Sequence, residues 1–161
     1  AILVESGGRA PVLYFQNRVG RDGRIVRLMK FRSMRTDAEK SGEAVWASAK
    51  DDRVTKVGSF IRRVRIDELP QLINVLKGDM SFVGPRPPLP QEVAEYQPWQ
   101  MRRLEVIGGL TGLWQISGRS DLTFDEGCLL DIYYIENWSL ALDFRLIIQT
   151  IPYLLSGRGA Y

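Results

Sequence analysis

Histidine is missing from the 161 residues, and cysteine occurs once, at Cys128. Without histidine the chain cannot build a Ser-His or Cys-His nucleophile or an imidazole metal site. A lone cysteine excludes an internal disulfide, leaves thiolate metal clusters without ligands, and points to a reducing compartment. No run of about 18 consecutive apolar residues occurs, so no stretch reads as a membrane span. The N-terminus also lacks the basic, apolar and small-residue regions of a signal peptide. Internal repeats and low-complexity segments are absent. Acid-base and metal chemistry therefore fall to Asp and Glu.

What is present is ordinary for a globular domain: 45% hydrophobic and 25% charged residues. The length is that of one domain with one core. A formal net charge of +3 suits an anionic partner, whether nucleotide, lipid phosphate, membrane surface or nucleic acid. The chain opens on Ala1-Ile2-Leu3-Val4, which reads as the middle of a strand, and we expect a fragment of a longer protein.

The stretch around which the rest is organised is Ile66-Asp67-Glu68-Leu69-Pro70-Gln71-Leu72. Pro70 suits a first helical position, Leu69, Leu72, Ile73 and Leu76 have helical spacing, and Gly78 is a terminator. Asp67 and Glu68 would then stand at the positive end of a helix, where free N–H groups favour ionised carboxylates and phosphates. Capping alone accounts for two acids in that position, so the pair by itself does not establish chemistry.

Upstream, the apolar runs Ala1–Val4 and Val12–Phe15 flank Ser6-Gly7-Gly8-Arg9 as a hairpin or strand-loop-strand unit. Asp22-Gly23 predicts a second hairpin between Gln16–Gly20 and Ile25–Phe31. Its edge carries Arg18, Arg21, Arg24, Arg27, Lys30, Arg32 and Arg35, which read individually as a solvated face. Thr36–Arg53 reads as a short helix and an exposed loop. Val54–Val64 follows as a helix with Val57, Phe60, Ile61 and Val64 on one face.

Downstream, Asp79–Pro90 holds four prolines within Gly84–Pro90 and is expected to be stiff and extended, neither helix nor central strand, fixing Arg86 in place. Arginine suits such a position because its planar fork grips phosphate in two places. Gln91–Val106 is expected to be one amphipathic helix carrying Trp99, Met101 and Leu104 among Arg102, Arg103 and Glu105. Gly108–Arg119 is a glycine-spaced loop without a Walker or dinucleotide pattern. Ser120 or Thr123 caps a helix through Ile135, and Ser139 opens the last one, Leu140–Leu155, marked by Pro152. Together these elements predict an α+β fold, mainly helical, with a small antiparallel hairpin near the N-terminus and amphipathic interfacial helices.

The series Gln16-Asn17-Arg18-Val19-Gly20, Lys30-Phe31-Arg32-Ser33-Met34, Val57-Gly58-Ser59-Phe60-Ile61-Arg62, Asp67-Glu68-Leu69-Pro70-Gln71-Leu72, Asn74–Ser81, Gly84-Pro85-Arg86-Pro87, Gly112-Leu113-Trp114-Gln115, Gly118-Arg119 and Gly157–Tyr161, in this order, resembles the bacterial sugar transferases. These are the monotopic phosphoglycosyl transferases that begin exopolysaccharide, capsule and O-antigen assembly. The resemblance covers essentially the whole chain.

It implies one catalytic domain over residues 1–161, with the family's re-entrant membrane helix lying upstream. The implied reaction transfers sugar 1-phosphate from a UDP-sugar to polyprenyl (undecaprenyl) phosphate through an aspartyl sugar-phosphate intermediate, releasing UMP. Asp67 would be the nucleophile and Glu68 a metal ligand or acid-base partner, with both acids on Mg2+. Arg62, Arg86 and Arg119 are the candidates for holding phosphate. The implied location is the cytoplasmic face of the bacterial inner membrane, and the implied partners are the UDP-sugar, the lipid phosphate and the membrane surface, with no nucleic acid. The sugar and the oligomeric state, a homo-oligomer included, stay open. Where the family places a basic residue and a proline before Gly-Leu-Thr-Gly, this chain has Ile107-Gly108, so a looser turn is expected.

Two alternatives accompany this. A basic helix-turn-helix over Val54–Leu76 could bind nucleic acid, although Asp67-Glu68 in its turn would repel phosphate. A fragment could also bind a UDP-sugar without turnover.

Overall fold

The structure is a computed structural model and describes residues 1–2, 11–38, 51–118 and 122–155. The expected strand unit around Ser6–Arg9 and the helix and loop over 39–50 lie largely outside them. The described elements bear out the α+β expectation. The Asp22-Gly23 hairpin forms as expected, with β1 (Leu13–Val19) antiparallel to β2 (Ile25–Phe31). Pairing runs from Leu13 opposite Phe31 to Val19 opposite Ile25, and the turn places Asp22 at φ 57° and Gly23 at φ 77°. Arg27 lies over the Phe15 ring at 4.2 Å, a packing use for one of the hairpin's exposed cations.

α1 (Lys56–Arg63) is capped by Thr55, whose hydroxyl accepts from Gly58 N at 2.8 Å. Glycine is required at position 58 because an added Cβ would lie 1.9 Å from the Ser33 carbonyl oxygen. After α1, Arg65 at φ 58° is a left-handed residue that turns the chain into a 3-10 turn, Ile66–Glu68. A non-glycine residue held there costs on the order of 1 kcal/mol. α2 (Gln71–Leu76) follows, with Pro70 just ahead of it and Gly78 at φ 80° just after it.

The apolar faces of α1 and α2 do not coincide with their buried faces. Ile61 is buried, but Phe60 is 59% exposed. On α2 the apolar spacing faces outward: Leu72, Ile73 and Leu76 are exposed, together with Leu69, while Gln71 and Asn74 are buried. Asn74 explains this orientation. Its Oδ1 accepts from Met29 N at 3.1 Å, and its Nδ2 donates to the Arg27 carbonyl at 3.0 Å and to Asp79 at 3.2 Å, pinning α2 to β2. Backbone groups of β2 thus find their partners in a side chain.

The proline-rich stretch begins with a strand that sequence reasoning missed. β3 (Ser81–Val83) pairs in parallel with β4 (Gly109–Thr111). Tightness at this crossing replaces the looser turn expected from Ile107-Gly108, since a Cβ on Gly108 would sit 2.5 Å from Pro87 Cγ. The single helix expected over Gln91–Val106 is broken into α3 (Pro90–Ala94) and a 3-10 turn, Gln100–Leu104. Pro98 interrupts it, and Gln100 Oε1 accepts from Gln97 N at 2.7 Å, closing a local turn.

α4 (Leu113–Ile116) is followed by α5 (Phe124–Glu136) and α6 (Leu140–Leu155), which contains Pro152. Thr123 and Glu126 form a reciprocal capping box at the start of α5; Ser120 lies outside the described residues. Val83, Tyr134 and Leu146 form a buried core, with Leu113, Ile116, Ile135 and Leu142 packed against it. Among the described residues no helix is long and apolar enough to cross a membrane.

Candidate active site

The carboxylates stand in the 3-10 turn before α2, so a helix dipole is not what holds them; α2 has only 6 residues. Side chains from elsewhere do so. Lys30, from β2, donates through Nζ to Glu68 Oε1 at 3.3 Å, and Arg86 donates through Nη1 to the same oxygen at 3.4 Å. Burial pushes the Glu68 carboxyl up, but Lys30 and Arg86 outweigh it and hold the group at about 2. Burial lowers the Lys30 ammonium to about 8, with Glu68 opposing.

Asp67 is treated differently. It is 8% exposed, and its Oδ1 is buried with no hydrogen-bond partner. Burial raises its carboxyl to about 6, assisted by the neighbouring Glu68 charge and opposed by Lys30, Arg62 and Arg65. A carboxylate near neutrality with an uncommitted oxygen is poised either to ionise and attack or to ligate a cation.

Of the three arginines expected to hold phosphate, the structure brings two to this place. Arg86 touches Glu68 directly. Arg62 acts through its charge: burial lowers it, and Asp67 and Asp51 oppose that. Arg119 lies outside the described residues. Two further cations escaped sequence reasoning. Arg18 donates through Nη1 to the Pro87 carbonyl at 3.1 Å and through Nε and Nη2 to Gln16 at 3.0 and 2.9 Å. Burial and the adjacent Arg86 charge lower it to about 10. Lys30 is the other. It shares a strand face with Val26 and with Leu28, which is 4% exposed, so the period-2 alternation marks it as inward-pointing. Glu92 and Asp51 also face the edges of the cluster, but Glu92 accepts from Leu89 N and Asp51 pairs with Arg53 at 2.6 Å. Around Asp67 and Glu68, the cations Arg18, Lys30, Arg62, Arg65 and Arg86 are in excess, a field suited to a diphosphate.

Among the described residues no three Asp, Glu or Cys side chains come together as a metal cage. Magnesium does not need one, since it commonly binds one or two carboxylates together with substrate phosphates. The unpartnered Asp67 Oδ1 beside Glu68 fits that mode.

Comparison with known proteins places this geometry in context. The model of the family described as "Bacterial sugar transferase" matches residues 1–157. The galactosyl transferase CpsE of Streptococcus agalactiae is 50% identical over 161 residues, covering 93% of this chain and 36% of CpsE. The exopolysaccharide production protein ExoY of Sinorhizobium fredii is 38% identical, covering 99% of this chain and 76% of ExoY. The UDP-N-acetylgalactosamine-undecaprenyl-phosphate N-acetylgalactosaminephosphotransferase of Aeromonas hydrophila is 43% identical, covering 99% of this chain and 39% of that protein. The chain thus spans little more than a third of the length of two of these relatives and most of the third. With the matched model spanning nearly all of it, the chain belongs to the bacterial sugar transferase family.

Proposed function

We propose that this chain carries the catalytic site of a phosphotransferase that moves a sugar 1-phosphate from a UDP-sugar to polyprenyl (undecaprenyl) phosphate, an early step of exopolysaccharide assembly. The observation that carries this is the Asp67 carboxylate, buried, unpartnered at Oδ1 and surrounded by cations. In the first step an Asp67 oxygen bonds to the sugar-bearing phosphorus, the bond from that phosphorus to the bridging oxygen breaks, and UMP leaves with the electron pair. In the second step an oxygen of the lipid phosphate attacks the same phosphorus, and Asp67 is released as carboxylate. Arg86 and Arg18 hold the phosphates, while Lys30 and Arg62 favour the ionised nucleophile.

Glu68, held at about 2, is unsuited to carry a proton at neutral pH; its role is to fix Lys30 and Arg86 and to supply a metal ligand beside Asp67. Magnesium, when bound by these two carboxylates and the substrate, would offset charge on the phosphate oxygens. The name of the Aeromonas hydrophila relative supports the donor and acceptor classes.

The outward apolar residues Phe60, Leu69, Leu72, Ile73 and Leu76, flanking the carboxylates, fit a membrane surface from which a lipid phosphate arrives. They speak against a helix-turn-helix, because α2 would then present Leu72, Ile73 and Leu76 to DNA.

Intact-mass measurement of the protein incubated with UDP-sugars and magnesium tests the reaction. A sugar-phosphate adduct on the peptide containing Asp67, with UMP released, is expected, and Asp67→Asn should lose both. Normal turnover by Asp67→Asn would overturn the covalent route. Co-sedimentation with vesicles tests the surface: Leu72→Ser/Leu76→Ser should reduce binding several-fold without lowering Tm, and unchanged binding would remove the membrane assignment.

A further inference from the structure

Residues Pro85–Pro88 carry Arg86, and three of the four, Pro85, Pro87 and Pro88, have no N–H to donate. The segment is held instead by its carbonyls, and each of the four is taken by a different donor. Gly109 N donates to Pro85 O at 2.9 Å and Val19 N to Pro88 O at 2.8 Å. Arg18 Nη1 donates to Pro87 O at 3.1 Å, and Arg103 Nη2 to Arg86 O at 3.3 Å.

Arg103 is set apart from the other donors. It is 3% exposed, and its guanidinium sits against the rings of Tyr96, Trp114 and Phe124 at 5.7, 5.1 and 5.8 Å. Nε and Nη2 donate to Asp131 Oδ2 at 2.9 and 2.8 Å, and Nη1 donates to the Tyr96 hydroxyl. A caged, charge-paired side chain of this kind has little freedom, and its remaining reach ends on the backbone of the arginine that grips Glu68.

We propose that Arg103 is a positioning residue for Arg86: the Asp131–Arg103 pair and its aromatic cage fix the Arg86 carbonyl from behind, so that the Arg86 side chain meets Glu68 and a bound phosphate in one place. The inference rests on the sugar-phosphate transfer described above. A displacement of about 1 Å in such a group can cost on the order of 100-fold in rate. Arg103→Lys keeps a charge for Asp131 but cannot also reach Arg86 O.

A double-mutant cycle in the intact protein tests this, read as UMP release and as Tm. Arg103→Lys is expected to lower kcat/KM by about 10- to 100-fold. In an Arg86→Lys background the same change should add less than about 2-fold, because its target is already lost. Multiplying losses, or full activity in a folded Arg103→Lys protein, would overturn the proposal. Should Arg103→Lys fail to fold, Tyr96→Phe, which frees Nη1 alone, takes its place in the cycle, with a few-fold loss expected only where Arg86 is intact. A wild-type protein inactive toward every UDP-sugar would instead sink the reaction. The cycle would then be read on the affinity for inorganic pyrophosphate by calorimetry, where the same non-additivity supports the positioning role and additivity ends it.

Discussion

Two aspartates in this molecule are alike in burial and differ in how their charge is met. Asp67 and Asp131 are both buried, burial raises both to about 6, and each has an Oδ1 without a partner. Asp131, however, gives its other oxygen to two nitrogens of Arg103 at 2.8–2.9 Å, and the charges on the pair cancel inside an aromatic wall. Asp67 makes no hydrogen bond through its carboxylate among the described residues, stands beside a second carboxylate, and feels its cations across space. A raised carboxyl is therefore common to a structural ion pair and a candidate nucleophile. What separates them is whether the charge is already answered.

The largest effects expected come from neutralising each aspartate in turn. Asp67→Asn should lower UMP release by on the order of 10⁴-fold or more, as loss of a nucleophile does. The same variant should be more stable than wild type at pH 8, by on the order of 2 kcal/mol, because the native state holds Asp67 above the unfolded value near 3.9. Below about pH 3 the carboxyl is protonated in both states and the two proteins should unfold alike. The advantage of the variant grows as pH rises toward about 6 and then levels off. Asp131→Asn relieves a raised carboxyl too, but it also leaves the Arg103 charge buried without its partner, a cost of about 3–5 kcal/mol that outweighs the gain and lowers stability at neutral pH. Thermal unfolding of both variants from about pH 3 to 8 checks this. Stabilisation by Asp131→Asn, or destabilisation by Asp67→Asn at pH 8, would erase the distinction between the two sites.

Lys30 sharpens the comparison at the Asp67 end alone. With Asp67 near 6 and the Lys30 ammonium near 8, kcat/KM should rise through the first and fall through the second. Lys30→Met removes a charge that favours ionised Asp67, so the acid limb should move to higher pH and the limb near 8 should vanish. Activity at the optimum should drop about 10- to 100-fold. A profile unchanged in Lys30→Met would assign both limbs to other groups.

Local turn chemistry was the most legible level of this structure. Asp22-Gly23, Gly78, Thr123, one of the two caps offered for its helix, and Ser139, whose hydroxyl accepts from Leu142 N at 3.1 Å, each stand where the sequence indicates. What could not be read is decided by partners distant in the chain. The β3–β4 pairing joins residues across the proline segment, and Asn74 turns α2 polar-side inward through bonds to β2 45 and 47 positions away. Helical spacing in α2 was genuine, yet periodicity gives an axis of asymmetry and not which side is wet. At the site, Asp67, Glu68 and Arg86 stood out by motif. Arg103 did not, because a charge in sequence looks solvated until a fold buries it, and for Lys30 the strand alternation with Val26 and Leu28 was the one signal.

Cys128 gives the smallest effect and a control within the closed cluster, touching Arg103 without bonding Arg86. It is fully buried, and burial raises its thiol to about 11 with the Arg103 charge opposing, so it is protonated at neutral pH and shielded from reagents. Cys128→Ala keeps the Asp131–Arg103 pair and the hydrogen bond to the Arg86 carbonyl while removing one small packing group and the thiol's hydrogen bond with Arg103. Stability should fall by about 1 kcal/mol and kcat/KM should stay within about 2-fold of wild type. A loss of activity as large as that of Arg103→Lys would show that general loosening of this region, and not the contact to Arg86, is what the active site feels.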